Sequence, residues 1–201
     1  MKKAAFSLLV VAVIAAAVGG SRFWPAPDEQ WSDAEVAMLR SLWIGSLPEL
    51  PPDPSNAVAN DPGAARFGHE LFFSTALSPT NAIACATCHR PELRFTDGMQ
   101  KGRGVGISGR NTKSIVGTAY SPWQYWDGRR DSQWSQALLP IEDPAEHGGS
   151  RGHAVQAVAD DARLRSQYEN VFGPLRELDG PAQVHRVFAT IGKAIAAYER
   201  L

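Results

Sequence analysis

The sequence predicts an all-α fold with long irregular loops, on three observations. Val184, Val187, Phe188, Ile191, Ile195 and Tyr198 recur at three- and four-residue steps, the spacing of one helix face. No segment alternates apolar and polar residues in the manner of a strand. Glycine- and proline-rich stretches, notably Leu47–Asn60 with four prolines and the run from Gly98 to Gly109, interrupt the helical patterns.

The elements follow in order. Lys2 and Lys3 precede an uncharged apolar run, Ala4 to Val18, then Gly19, Gly20 and Ser21, so residues 1–20 read as a secretory signal or an uncleaved amino-terminal anchor. Residues 21–60 read as an extension and proline-rich linker. Within them Ser32 and Glu35 form a capping box ahead of Val36, Leu39 and Leu42, which predicts a helix to about Trp43. Asp61-Pro62 reads as an N-cap and first-turn proline, opening a second helix through Phe73 and the main domain, 61–201. Asp131–Leu138 reads as a short helix, His153–Phe172 as one or two, and the segment around Val184–Tyr198 as the last.

With 20 Lys and Arg against 21 Asp and Glu, the chain has no charge excess of the kind nucleic-acid binding requires. Its two cysteines stand in Cys85-Ala-Thr-Cys88-His89. Two thiols three residues apart with a histidine directly after them form the attachment sequence for a c-type haem. Both thiols add to vinyl groups of one porphyrin, and the imidazole of His89 binds the iron. The competing readings are a disulfide, a thioredoxin-type pair and half of a zinc site. A thioredoxin pair should follow a strand, and a zinc site needs a second ligand pair; neither pattern is in the sequence. Export to an oxidising compartment, the periplasm, agrees with haem attachment.

The second informative region is Tyr120-Ser-Pro-Trp123-Gln-Tyr125-Trp126-Asp127-Gly128-Arg129, leading to Gln136 and to Pro140-Ile-Glu142-Asp143-Pro144-Ala145-Glu146. Together with Leu71-Phe72-Phe73, the C-x-x-C-H, Phe95-Thr96-Asp97-Gly98 and Arg110-Asn111-Thr112, this order resembles the bacterial di-haem cytochrome c peroxidase family, which includes the methylamine-utilisation haem enzymes. The resemblance runs from about Arg66 to Leu201.

It implies a cytochrome-c-like haem domain carrying one covalent haem c, at which hydrogen peroxide is reduced to water. Glu146 matches the glutamate that serves as acid and base over the open face of that haem, and Gln136 the glutamine in the same pocket. Trp126 matches the tryptophan that passes electrons between two haems; read alone, it is a core aromatic. Asn111 matches a residue at a calcium site between the haem domains; read alone, it is a turn residue. Glu142 and Asp143 read as solvated loop acids. His69, His147, His153 and His185 read as surface or helix residues.

The sequence departs from the family in three respects. The segment Met99–Arg110 contains no histidine to occupy the sixth iron position, so the iron is expected to be five-coordinate, with Met99 as the weaker candidate ligand. Lys113 replaces the proline usual after Asn-Thr. No second C-x-x-C-H follows, so the expectation is a fragment, a truncated product or one half of a two-chain assembly. The implied partners are a small electron-donor cytochrome or cupredoxin and a second haem domain in cis or in trans. Two alternatives stay open: a mono-haem electron carrier that never meets peroxide, and an enzyme that oxidises a protein side chain.

Overall fold

The computed structural model describes residues 31–201, so the signal or anchor expected over 1–20 lies outside the described residues. Its α-helices are α1 (Asp33–Ser41), α2 (Pro62–Phe73), α3 (Cys85–Cys88), α4 (Gln133–Glu142), α5 (Arg151–Asp160), α6 (Ala162–Phe172) and α7 (Pro181–Glu199). Among the described residues there are isolated β-bridges but no strand, and no helix is long and apolar enough to cross a membrane.

The chain divides at Glu49 and Leu50 into two compact units. In the first, α1 has the expected capping box: the Ser32 amide donates to Glu35 Oε2 at 2.8 Å and the Glu35 amide donates to Ser32 Oγ at 3.3 Å. None of its residues is buried.

The second unit is built around α7. Val187, Phe188, Ile191, Ala194 and Ile195 are buried on it, the stripe the periodicity marks. Helix α2 crosses α7 where Gly68 meets Ala194: a Cβ on Gly68 would run into the Ala194 carbonyl. Helix α4 crosses α7 where Gly192 faces the Trp134 carbonyl, 2.6 Å from where its Cβ would lie. Two glycines thus let three helices approach at backbone distance, and Phe67, Leu71, Phe72, Ile141, Leu164 and Tyr168 close the core around them. The Tyr168 ring stands edge-on to Phe67 at 6.1 Å between centroids.

Helix α2 starts as expected, with Asp61 accepting the Ala64 amide at 2.7 Å and Pro62 at its first turn. The run His153–Phe172 is two helices. Asp161 is the C-cap of α5, and its carboxylate caps α6 by accepting the Arg163 and Leu164 amides, each at 2.9 Å. Helix α4 runs past the expected end at Leu138 to Glu142, with Pro140 inside it. Proline frees the carbonyl four residues earlier, and here the Tyr125 hydroxyl donates to that Gln136 carbonyl at 3.3 Å.

The second half of the proline-rich linker is built into this unit. Asn56 is 2% exposed and its amide donates to the Lys193 carbonyl at 3.0 Å; the Arg200 guanidinium donates to the Pro51 carbonyl at 2.8 Å.

Candidate functional site

The C-x-x-C-H motif forms the one-turn helix α3. Thr87 fixes its start, its hydroxyl accepting the Ala84 amide at 2.9 Å, and the His89 amide donates to the Cys85 carbonyl at 2.9 Å. Both cysteines are free thiols, so the disulfide reading does not hold. Burial pushes the Cys85 thiol up to about 12, with the Glu199 charge acting in the same direction. Burial also raises the Cys88 thiol, whose Sγ donates to the Arg103 carbonyl at 3.4 Å.

His89 lies beside a short closed loop. The Arg90 amide donates to the Thr96 carbonyl at 3.2 Å and the Phe95 amide to the Arg90 carbonyl at 2.8 Å, with Arg94 and Phe95 both in the left-handed region. That backbone aims the Phe95 carbonyl at His89 Nδ1, 3.1 Å away, which donates to it as an N–H. Burial holds the imidazole below the ordinary histidine range, against the opposing pull of the Phe95 and Lys113 carbonyls. The neutral ring therefore carries its lone pair on Nε2, the nitrogen an axial metal ligand presents.

The glycine-rich loop packs on the Asp143–Glu146 segment. The Val105 amide donates to the Glu146 carbonyl and the Gly106 amide to the Ala145 carbonyl, each at 2.9 Å. A Cβ on Gly104 would strike the Glu146 carbonyl and lie 2.6 Å from that of Ala145, so only glycine permits this approach. Burial raises the Glu146 carboxyl, the neighbouring Asp143 charge adds to the rise, and Arg129 opposes it. Gln136 and Tyr125 share the neighbourhood. The Gln136 side-chain amide donates to the Tyr125 hydroxyl at 3.4 Å, and burial pushes that hydroxyl up to about 12, with the Glu146 charge adding to the rise. The Arg129 guanidinium lies 3.6 Å over the Tyr125 ring.

The remaining candidates lie elsewhere. Trp126 is 67% exposed, with the Lys113 ammonium 3.9 Å over its ring, so it is not a core aromatic. Asn111 is exposed, and no group of three His, Cys, Asp or Glu suited to a metal ion occurs among the described residues. Glu142 is no solvated loop acid: it closes α4 and takes two hydrogen bonds at 2.7 Å from Arg151, which lower its carboxyl. Asp143 caps its own turn, accepting the Ala145 amide at 2.8 Å.

Of the histidines, His69 and His185 are exposed and His153 meets the Ala76 carbonyl at 3.0 Å. His147 departs from the surface reading. It is 3% exposed, its Nε2 lies 4.0 Å from Cys85 Sγ, and its Nδ1 is buried with no hydrogen bond of good geometry, although the Pro140 carbonyl pulls on the ring against the burial that lowers it. Tyr125, His147 and Glu199 are the residues that sequence reasoning missed. Only His147 carried a signal, its position directly after Glu146.

These residues fit a covalently tethered porphyrin. Two neutral thiols stand one turn apart, a neutral imidazole offers Nε2, and the buried His147 Nδ1 and Arg130 Nε make no hydrogen bond of good geometry within the protein. A family profile described as "Di-haem cytochrome c peroxidase" matches residues 62–201. The chain belongs to the di-haem cytochrome c peroxidase family.

Members of that family to which it is similar include the methylamine utilization protein MauG of Methylorubrum extorquens, 32% identical over 84% of this chain and 47% of that protein. The cytochrome c551 peroxidase of Nitrosomonas europaea is 29% identical over 68% of this chain and 42% of that protein. Among solved structures, a MauG-like protein associated with microbial copper homeostasis superposes with a TM-score of 0.61 at 29% identity, covering 79% of this chain and 46% of the other. The diheme peroxidase BthA of Burkholderia thailandensis, 23% identical, gives the same TM-score over 76% of this chain and 40% of its own, a likeness of fold. The chain spans about half the length of the curated relatives it matches. Membership of this family of haem proteins implies haem c.

Proposed function

We propose that the 50–201 unit holds one haem c, tethered by thioethers to Cys85 and Cys88 and bound at the iron by His89, and that it acts in reducing hydrogen peroxide to water. The observation that carries this reading is the carboxyl of Glu146, raised by burial and held in place by the Gly104–Gly106 backbone within the domain of the C-x-x-C-H helix. When bound, the haem supplies an iron that takes peroxide as a ligand and passes electrons to it.

The side chains do the rest. Cys85 and Cys88 fix the ring beside α3, and His89, held by Phe95, presents Nε2 to the metal. Glu146, ionised, accepts a proton from one peroxide oxygen and returns it to the departing oxygen, help typically worth about 10²–10⁴ in rate. Gln136 and Tyr125 hold each other beside it. Trp126, at the surface, is the proposed relay for electrons, and Asn111 the proposed contact to calcium. Two electrons and two protons per peroxide give two waters; the electrons come from a small cytochrome or cupredoxin, through a second haem domain in cis or in trans. Location in the periplasm is supported by Lys2, Lys3 and the apolar run to Val18.

The test uses chain produced in a host that matures c-type cytochromes. The denatured polypeptide should keep its pyridine-haemochrome absorbance. Glu146→Gln should leave haem content unchanged and slow peroxide consumption at least about 10²-fold. Absence of covalent haem, or a variant as fast as the parent, defeats the reading. A haem spectrum indifferent to peroxide would instead assign the domain to electron carriage.

A further inference from the structure

We infer that Arg130 clamps a propionate of the porphyrin, its guanidinium gripping the carboxylate on the ring edge opposite Cys85 and Cys88; this rests on the haem reading above. Arg130 is half-buried, and its Nε–H is shut off from solvent with no hydrogen-bond partner. Its Nη1 makes a long bond to the Arg129 carbonyl, at 3.5 Å, and it has no ion pair among the described residues. A guanidinium stripped of water at one nitrogen and left unpaired there is costly, and a carboxylate is the group its planar donors match in pairs.

The charges around the site place that carboxylate. A haem c joins the chain through the vinyl-derived carbons of two pyrroles and carries its propionates, its anionic side chains, on the other two. A residue that meets a propionate therefore stands across the ring from the thiols. Besides burial, the charges that raise the thiols are acidic, Glu199 and Glu146 at Cys85, Asp97 and Glu146 at Cys88. A propionate would be repelled there. Burial and the Glu146 charge also raise the Tyr125 hydroxyl, but the Arg129 and Arg130 cations oppose them. The cations thus gather about Tyr125, beyond the acidic tethering edge. Of the two, Arg129 is committed, its Nη1 donating to Asp127 at 2.8 Å and its guanidinium lying 3.6 Å over the Tyr125 ring.

The backbone that carries Arg130 is fixed on both sides. The Gln124 amide donates to the Arg130 carbonyl at 2.8 Å, closing a loop in which Tyr125 and Gly128 are both left-handed, at φ 68° and 66°. The Gln124 side chain, buried, donates to the Thr118 and Ser121 carbonyls at 3.2 and 3.1 Å. Gln133, three residues beyond Arg130, fastens the start of α4 by donating to Thr118 Oγ1 at 3.0 Å. Little backbone ordering is then needed to close the clamp. It would fix the ring's rotation beneath Glu146 and, by placing a cation beside the carboxylate, favour the reduced iron.

The experiment is resonance Raman spectroscopy and redox titration of the haem-loaded chain. The haem's propionate bending band falls in frequency as hydrogen bonds to the carboxylate weaken. Arg130→Leu should lower this band, and should lower the reduction potential because a cation near the iron is lost. Arg130→Lys keeps the charge without the paired donors, so the band should fall while the potential stays closer to that of the parent. Arg129→Gln should leave the band in place, and covalent haem content should be the same in all four proteins. A band that neither Arg130 variant moves overturns the clamp alone, even where Arg130→Leu shifts the potential, because Arg130 would then act only as a distant charge. So does a band that moves with Arg129→Gln and with neither Arg130 variant. Should Arg130→Leu fail to fold, Arg130→Lys supplies the same reading. Chain that never acquires haem overturns the proposed function and the clamp with it.

Discussion

The Glu146 carbonyl accepts the Val105 amide at 2.9 Å, so the residue placed to handle protons takes its position from a glycine-rich loop some forty residues earlier. The loop does more than cross the surface. Its backbone, free of side chains at Gly104 and Gly106, is the template against which the Asp143–Glu146 turn sets.

Gly104→Ala should therefore act on the Glu146 carboxyl through the backbone alone. The added Cβ collides with the Glu146 carbonyl and forces the two backbones apart. Peroxide consumption should fall at least about 10-fold, since a displacement of about 1 Å can cost a reacting group about 10²-fold. Covalent haem content should be preserved. Gly109→Ala, whose Cβ meets nothing within 4 Å, is the control and should match the parent in steady-state assays.

The acid limb of the pH–rate profile should lie above the ordinary carboxylate range of about 4.3, because burial and Asp143 both favour the protonated form of Glu146. As pH falls through this raised value the proton acceptor is lost. Asp143→Asn removes a like charge and should move the limb to lower pH. Arg129→Gln removes an opposing cation and should move it higher. Profiles that coincide for all three proteins would show that Glu146 is not the titrating group.

Glu199 stands on α7 without a hydrogen bond or ion pair among the described residues, and burial pushes its carboxyl up to about 8. The folded state thus binds a proton more tightly than the unfolded chain, whose value is near 4.3. Stability is full below the unfolded value and declines as pH rises towards 8. Glu199→Gln should remove this decline and stabilise the haem-loaded protein at pH 8 by on the order of 1 kcal/mol. Urea midpoints at pH 5 and pH 8 measure it; parallel curves for the two proteins would contradict the assignment.

Gly68→Ala should destabilise the fold by about 1–3 kcal/mol through overpacking, although alanine is the better helix former by nearly 1 kcal/mol. The new methyl group has nowhere to go but the Ala194 carbonyl. Gly152→Ala in α5, where the nearest neighbour is a side-chain oxygen at 3.8 Å, should be neutral or stabilising. The urea midpoint at constant slope separates the two.

Local chemistry was legible in the sequence wherever one turn decides it. Asp61-Pro62, the Ser32–Glu35 pair and the stripe on α7 were read at or near their places, because caps and helix periodicity involve residues within a turn or two of one another. The C-x-x-C-H helix was legible through motif spacing, and the neighbourhood of Gln136 and Glu146 through the resemblance to the family. Features set by distant partners were not. Pro140 continues α4 with the freed Gln136 carbonyl held by Tyr125, itself in the left-handed region at φ 68°. His147 is buried because the chain after Glu146 turns inward, its carbonyl accepting from the buried Ser78 hydroxyl at 2.7 Å. Asp161 divides a continuous helical pattern by offering its carboxylate to the next helix, a choice propensity alone does not make.

The closed Arg90–Thr96 loop anchors the imidazole within seven residues of the second cysteine. The Nδ1–H hydrogen bond it supplies makes that ring more electron-rich, one of the influences on the potential of a metal bound there. A change in the left-handed pair Arg94 and Phe95 would then alter the basicity of the ligand without displacing a single helix.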